Sequence, residues 1–236
     1  MTDTSVAARL LAVRARVREA AVRAGRDPES VKLLAVSKKQ PVSAIREAYA
    51  LGQRDFGESY AQELATKADE LSDLKEIRWH MIGHLQRNKA KLVVPRVVRV
   101  CSVDSERLLA ELAKQSEACE GAAGRAKTLE VLLEVNLGGE ANKSGVSPDA
   151  LPDLLQAARA YPSLEVRGLM AIPPQTDDPQ GARGFFENLR ELRDRVGGSR
   201  ALPELSMGMS GDLEAAVLAG STEVRVGTAI FGERHG

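Results

Sequence analysis

The chain has 236 residues, 43% hydrophobic and 28% charged, with 33 Lys+Arg set against 33 Asp+Glu for a formal net charge of zero. That balance argues against bulk electrostatic attraction to nucleic acid or an anionic membrane, and no run of about 20 apolar residues offers a bilayer span. The two cysteines, Cys101 and Cys119, fall in no metal-ligand spacing, so small buried hydrophobes in a reducing, cytoplasmic compartment are expected.

Val6, Leu10, Val13 and Val17 recur at helical spacing, and Gly25 and Pro28 follow as stop signals. A helix within residues 1–28 therefore precedes the first strand, and its arginines and Glu19 interrupt any signal-peptide run. Eight short apolar runs then alternate with helical patterns: 31–37, 54–56, 77–82, 97–103, 129–136, 164–172, 205–209 and 223–226. The second is the weakest, being short and polar.

Between the runs, Pro41 opens a helix that Gly52 closes, and Asp104 caps one carrying Leu108, Leu109 and Leu112. Ser147-Pro148 and Asp178-Pro179 each set an N-cap before a proline at the first helical position. Ser210 caps a helix through Leu213, Ala216 and Val217, ended by Gly220, and residues 121–124 form the expected flexible loop. Eightfold strand–helix alternation with apolar strands predicts a parallel sheet covered by helices. Eight units in about 200 residues favour a closed (β/α)8 TIM barrel over an open doubly wound sheet. No GxGxxG follows the first run and no Walker A sequence occurs. One domain, 1–236, is expected: the N-terminal helix over 1–28 and the barrel over 29–236.

In such a barrel, chemistry collects where strands end. Those positions hold Lys38, Glu58 to Tyr60, His80 to His84 with Gln86 and Asn88, Asn136 and Lys143, Ser210-Gly211, and Gly227-Thr228. Glycines 211 and 227 let backbone approach a ligand, while Ser210 and Thr228 add hydroxyls. Loops after strands seven and eight frequently build a phosphate site, and a helix N-terminus favours an anion. A plain cap and a plain turn are the structural alternatives. Alternation in Glu223-Val224-Arg225-Val226 sends the valines outward and Arg225 into the barrel, where its charge needs an acceptor or an anion. An ion pair with Glu223 or another acid is the structural alternative. Lys38 ends LLAVSK and, if desolvated, suits a Schiff base, though a solvated strand-end lysine also fits. His80 and His84 lack the acid or cysteine that would complete a metal set, and no GxSxG elbow is present.

Seven segments together resemble the pyridoxal phosphate homeostasis protein family. They are LLAVSKKQP (33–41), FGESYAQE (56–63), WHMIGHLQRNK (79–89), SVDS (102–105), EVNLGGEANKSG (134–145), RGLMAIPP (167–174) and LSMGMSGDLEAAVLAGSTEVRVGTAIFG (205–232). The resemblance implies an alanine-racemase N-terminal-domain-like barrel (fold-type III) that binds pyridoxal 5′-phosphate (PLP) as a Schiff base on Lys38. It implies that Arg225 faces the pyridine nitrogen and that Ser210, Gly211, Gly227 and Thr228 hold the phosphate. Met209, His80 and Ser59 are implied as pocket neighbours. Ser59 stands where the family usually has asparagine and Lys39 where threonine is common; the like charge of Lys39 is expected to lower the Lys38 amine pKa.

The function implied is PLP homeostasis, as a monomeric buffer or carrier without expected turnover, with apo forms of PLP enzymes as candidate acceptors. The alternatives are an amino-acid racemase or lyase on the same Schiff base, and a barrel enzyme acting on a phosphorylated metabolite without PLP. Alanine racemases add a C-terminal β domain and borrow a tyrosine base from a partner subunit. The sequence ends soon after its eighth run, so no such domain is expected, and Tyr60 is the local candidate for the tyrosine. Lys143 is a candidate second, weaker docking point for PLP, with a solvated loop lysine as the alternative.

Overall fold

A computed structural model describes residues 5–123, 128–140, 144–174 and 181–233. Helix α1 (Val6–Arg23) leads into β1 (Lys32–Val36), α2 (Val42–Ala50), β2 (Asp55–Glu58), α3 (Ala61–Glu70) and β3 (Arg78–Met81). There follow α4 (Ala90–Val93), β4 (Arg99–Val103), α5 (Glu106–Ala123), β5 (Leu129–Glu134), α6 (Leu151–Ala158) and β6 (Leu164–Met170). The chain continues through α7 (Gly181–Val196), α8 (Gly198–Ala201), β7 (Glu204–Ser206), α9 (Leu213–Leu218), β8 (Glu223–Val226) and α10 (Thr228–Phe231). The strands close in chain order into a parallel barrel, β1 pairing β8 with Lys32 opposite Glu223 and Leu34 opposite Arg225.

Each strand run of the sequence holds a strand. The second shifts forward to end at Glu58, because Phe56 pairs with Trp79 and Glu58 with Met81 in β3. The helix expected behind Asp104 begins at Glu106, and α5 runs through position 121, so much of the expected flexible loop is helix. Gly124 and the Asp178-Pro179 cap lie outside the described residues. Ser147 caps a 3₁₀ turn at Pro148–Ala150, which explains how Pro152 fits the first turn of α6.

Alternation divides the barrel into an outer apolar layer and an inner column. Outward side chains such as Phe56, Val131, Leu133, Val224 and Val226 meet helix residues including Leu64, Leu112, Phe186 and Leu189 in one buried core. Burying each such side chain contributes about 1.5–3 kcal/mol. Inside the strands, Cys101, Leu132 and Met170 form a separate small cluster with Ile82 against it. Burial pushes the Cys101 thiol well above its ordinary value, so it stays a neutral filler.

Below this plug lies a charged floor. Arg99 bonds Glu130, Glu204 and Glu223, and Lys32 adds a bond to Glu204. Burial alone would pull the Arg99 guanidinium down, but the glutamates outweigh it and hold it above its usual value. Above the plug the barrel opens into its mouth.

Helix α1 is tied to the last two units of the barrel. Ser5 caps it through the Ala8 N–H, and its buried face is Val6, Leu10, Val13, Val17, Ala20 and Ala21. Arg9 donates to the Ile230 carbonyl, and Arg16 donates to both Glu214 oxygens and to the Ser210 carbonyl. The arginines of this helix thus hold the ends of α9 and α10. Among the described residues no helix is long and apolar enough to cross a membrane.

Candidate functional site

A cavity of about 640 Å³ opens at the C-terminal mouth of the barrel, within the range of small-molecule and cofactor sites. Its wall carries Lys38, Ser59, Met209, Ser210, Gly211, Arg225, Gly227 and Thr228 together. Tyr60, Ile172 and Met209 lie around it, three of the few large hydrophobic side chains that stay exposed. An apolar rim around a polar interior suits a flat ring with charged substituents.

The interior cation is Arg225, only 5% exposed. It donates to the Ser206 carbonyl and hydroxyl and to the Ala171 carbonyl at 3.0 Å, while Glu223 bonds Arg99 and Ser206. The ion pair with Glu223 is therefore absent: Arg225 is anchored by neutral oxygens and keeps its charge for the cavity. Burial lowers its pKa, against the pull of Glu223 and Glu134.

The turns at Ser210 and Gly227 form differently from the expected simple cap. Helix α9 starts at Leu213, and Asp212 accepts from the Met209 N–H. Ser210 instead accepts from the Ala229 N–H at 3.3 Å, tying the loop after β7 to the turn after β8. Gly227 lines the cavity, and an added Cβ there would press on the Val36 carbonyl at 3.1 Å. Gly208, with φ +97°, has the Ala216 methyl 2.5 Å from where its Cβ would stand, which lets α9 come down onto the mouth.

Lys38 is held by its neighbours. Lys67 of α3 donates to the Ser37 carbonyl at 2.6 Å, to Glu58 at 2.8 Å and to Glu63 at 2.7 Å. Ser37 also donates to Glu58, and the Lys39 N–H donates to Glu63. The residues on both sides of Lys38 are thereby fixed, with Lys39 turned to φ +59° and its side chain exposed. Burial raises the Glu58 pKa despite Lys67 and Ser37. The Glu58–Lys67–Glu63 set was missed in the sequence, although Glu63 and Lys67 stand four apart on a helix and face each other.

His80 lies elsewhere. Its register partner in β4 is Arg99, its Nε2 lies 2.9 Å from Asp55, and it lines a second cavity at the floor. The expectation of a mouth neighbour is corrected: alternation turned the ring inward, but at the wrong height. Burial favours neutral Asp55, yet Arg78 and His80 hold it well below the usual carboxylate range. His84, not His80, reaches the mouth, with Asn136 and Glu134. Ser59 contributes backbone closeness: a Cβ on Gly83 would stand 2.2 Å from its carbonyl oxygen. Lys143 lies outside the described residues. No group of three or more metal-ligating side chains occurs among the described residues.

Comparison with known proteins follows the same outline. Residues 9–235 match the family model described as the alanine racemase N-terminal domain. The pyridoxal phosphate homeostasis protein of Pseudomonas aeruginosa is 46% identical over 231 residues, 98% of this chain and 96% of that one. The chain belongs to the pyridoxal phosphate homeostasis protein family. A solved structure, PipY of Synechococcus elongatus with PLP bound, is 38% identical with TM-score 0.77, covering 92% of this chain and 99% of that one. Alanine racemase of Corynebacterium glutamicum shares the fold at 19% identity and TM-score 0.67, over 95% of this chain and 62% of the racemase. The pyridoxal phosphate homeostasis family and the racemases therefore share this barrel.

Proposed function

We propose that this chain binds PLP as a Schiff base on Lys38 and serves PLP homeostasis in the cytoplasm as a buffer or carrier, without substrate turnover. The observation that carries the reading is the mouth cavity, where an amine, a buried cation free of a carboxylate contact and a backbone cradle face one space. The PLP-bound PipY relative supports it. Ser210, Gly211, Gly227 and Thr228 would hold the phosphate, Arg225 the ring nitrogen, and Met209 and Ser59 the walls.

When bound, PLP supplies an aldehyde for amines and a ring that withdraws electrons. Arg225 cannot give up its proton, so facing the ring nitrogen it would donate a hydrogen bond there and favour the unprotonated pyridine, a weaker electron sink. That pairing suits holding PLP, or racemase chemistry with a second base. The barrel of 29–236 and the helix of 1–28 act as one monomeric domain in this reading, with apo forms of PLP enzymes as acceptors.

The test is the visible spectrum of purified protein with added PLP beside Lys38→Ala, followed by borohydride trapping and peptide mapping. Label on Lys38, lost in the variant, is expected. Label elsewhere overturns the assignment, no label overturns PLP attachment, and steady interconversion of D- and L-amino acids replaces the carrier with a racemase.

A further inference from the structure

Glu134 ends β5, where the strand sends Glu130, Leu132 and Glu134 inward in turn: one to the floor, one to the plug, one to the mouth. It is only 7% exposed, lines the mouth cavity, and its Oε2 has no hydrogen-bond partner among the described residues. Glu58 and Glu204 also leave an oxygen without a hydrogen bond, but Glu58 is ion-paired to Lys67 and Glu204 to Arg99, whereas Glu134 has no ion-pair partner among the described residues. Leaving such an oxygen unpaired in the interior is costly, more so when the group is charged. A ligand in the cavity removes that cost.

The charged and titratable groups around it lie on several elements. Asp104 follows β4 and bears on it with like charge, and His84 lies 3.7 Å from Asp104. Arg225 bears on it from β8 with opposite charge, and Lys38 lines the same cavity after β1. Burial, then Asp104, push its carboxyl up to about 7 against Arg225. A carboxylic acid holding its proton near neutrality is a hydrogen-bond donor, whereas the carboxylate only accepts and repels anions.

We propose that Glu134 is a further cofactor-contacting residue of this site, meeting bound PLP as a neutral acid and donating its proton as a hydrogen bond to an anionic oxygen of the ligand. This rests on the PLP reading above. No covalent bond is made or broken; the proton stays on Glu134 and is shared with the ligand. PLP and a proton then bind together: the anionic ligand favours neutral Glu134, and raising the pH opposes both.

The experiment is the PLP dissociation constant of wild type and of Glu134→Gln, which keeps shape and a donor but cannot ionise, at pH steps from 6 to 9. Wild-type affinity relative to the variant is expected to fall as pH rises above about 7, by at most about tenfold per pH unit for one proton. The ratio removes what both proteins share, including titration of the ligand itself. Removing the Asp104 charge lowers the carboxyl pKa, so in Asp104→Asn the fall begins at lower pH. Direct proton counting in weakly buffered solution is a second readout: PLP binding takes up protons in wild type that Glu134→Gln does not take up. A pH-independent ratio with no difference in proton uptake overturns the role of Glu134 while leaving PLP binding intact. Failure of wild type to bind PLP at any pH overturns both.

Discussion

The two ends of this barrel treat buried charge in opposite ways. At the floor, Arg99 meets Glu130, Glu204 and Glu223, while Arg78 and His80 meet Asp55, so charge is balanced within the protein. At the mouth, Arg225 rests on neutral oxygens and Glu134 keeps an oxygen open. Both ends use the same inward strand positions and draw on the same residue types. The difference lies in ion pairing: the floor charges pair within the chain, whereas Arg225 and Glu134 have no ion-pair partner among the described residues, which is what the proposed ligand site requires. Barrel enzymes in general place stability at the N-terminal face and chemistry at the C-terminal face, and here that division is written in hydrogen bonds.

The comparison breaks most sharply at Arg99. Arg99→Met strands three glutamates without their common partner, and loss of about 3–5 kcal/mol in urea unfolding of the apo protein is expected. PLP affinity of the folded fraction should be unchanged; a large affinity loss would mean that the floor also serves the ligand.

Lys67 sharpens the comparison, since it is a mouth residue whose charge is fully used by the chain. Lys67→Met should cost about 3 kcal/mol of stability and weaken PLP binding by loosening the Ser37–Lys39 turn. Adding Glu58→Gln removes the stranded charge and should restore stability but not affinity. Restoration of both would reduce Lys67 to a packing residue.

A smaller effect is expected from Glu134 in the apo protein. Its folded pKa, about 7, exceeds the ordinary 4.5, so the folded state holds the extra proton between those values. Stability relative to Glu134→Gln should therefore fall as pH rises from about 4.5 to about 7 and level off above, by on the order of 1–3 kcal/mol. Thermal unfolding of both proteins across that window measures it, and parallel curves would show that the carboxyl titrates normally.

The smallest effect belongs to Lys39, whose φ of +59° is costly for a residue with a Cβ. Lys39→Gly should stabilise the apo protein by up to about 1 kcal/mol. Destabilisation would mean that the lysine side chain holds the turn.

Periodicity alone carried much of the architecture. Eight apolar runs became eight strands, Val224 and Val226 faced outward, and Arg225 faced the interior, because a strand's period of two is a local property. The same alternation applied to 130–134 points Glu134 inward, but an acid at a strand end has no distinctive motif, and its open oxygen exists only once Asp104 and Arg225 surround it. Height along the barrel is not local: His80 faced inward as expected yet sank to the floor, since the parallel register sets it beside Arg99. Ser210 looked like a cap for its own helix, whereas its partner is the Ala229 N–H, 19 residues on. The Lys67 strap joins β1, β2 and α3 and likewise had no short-range signature beyond its spacing from Glu63.

By itself, the sequence determined the strand count, the faces of the strands and the inward arginine, all consequences of backbone geometry within a few residues. Only the tertiary structure decided which inward charges cancel and which stay open, because that depends on strand register and burial, which bring together residues as distant as Arg99 and Glu223.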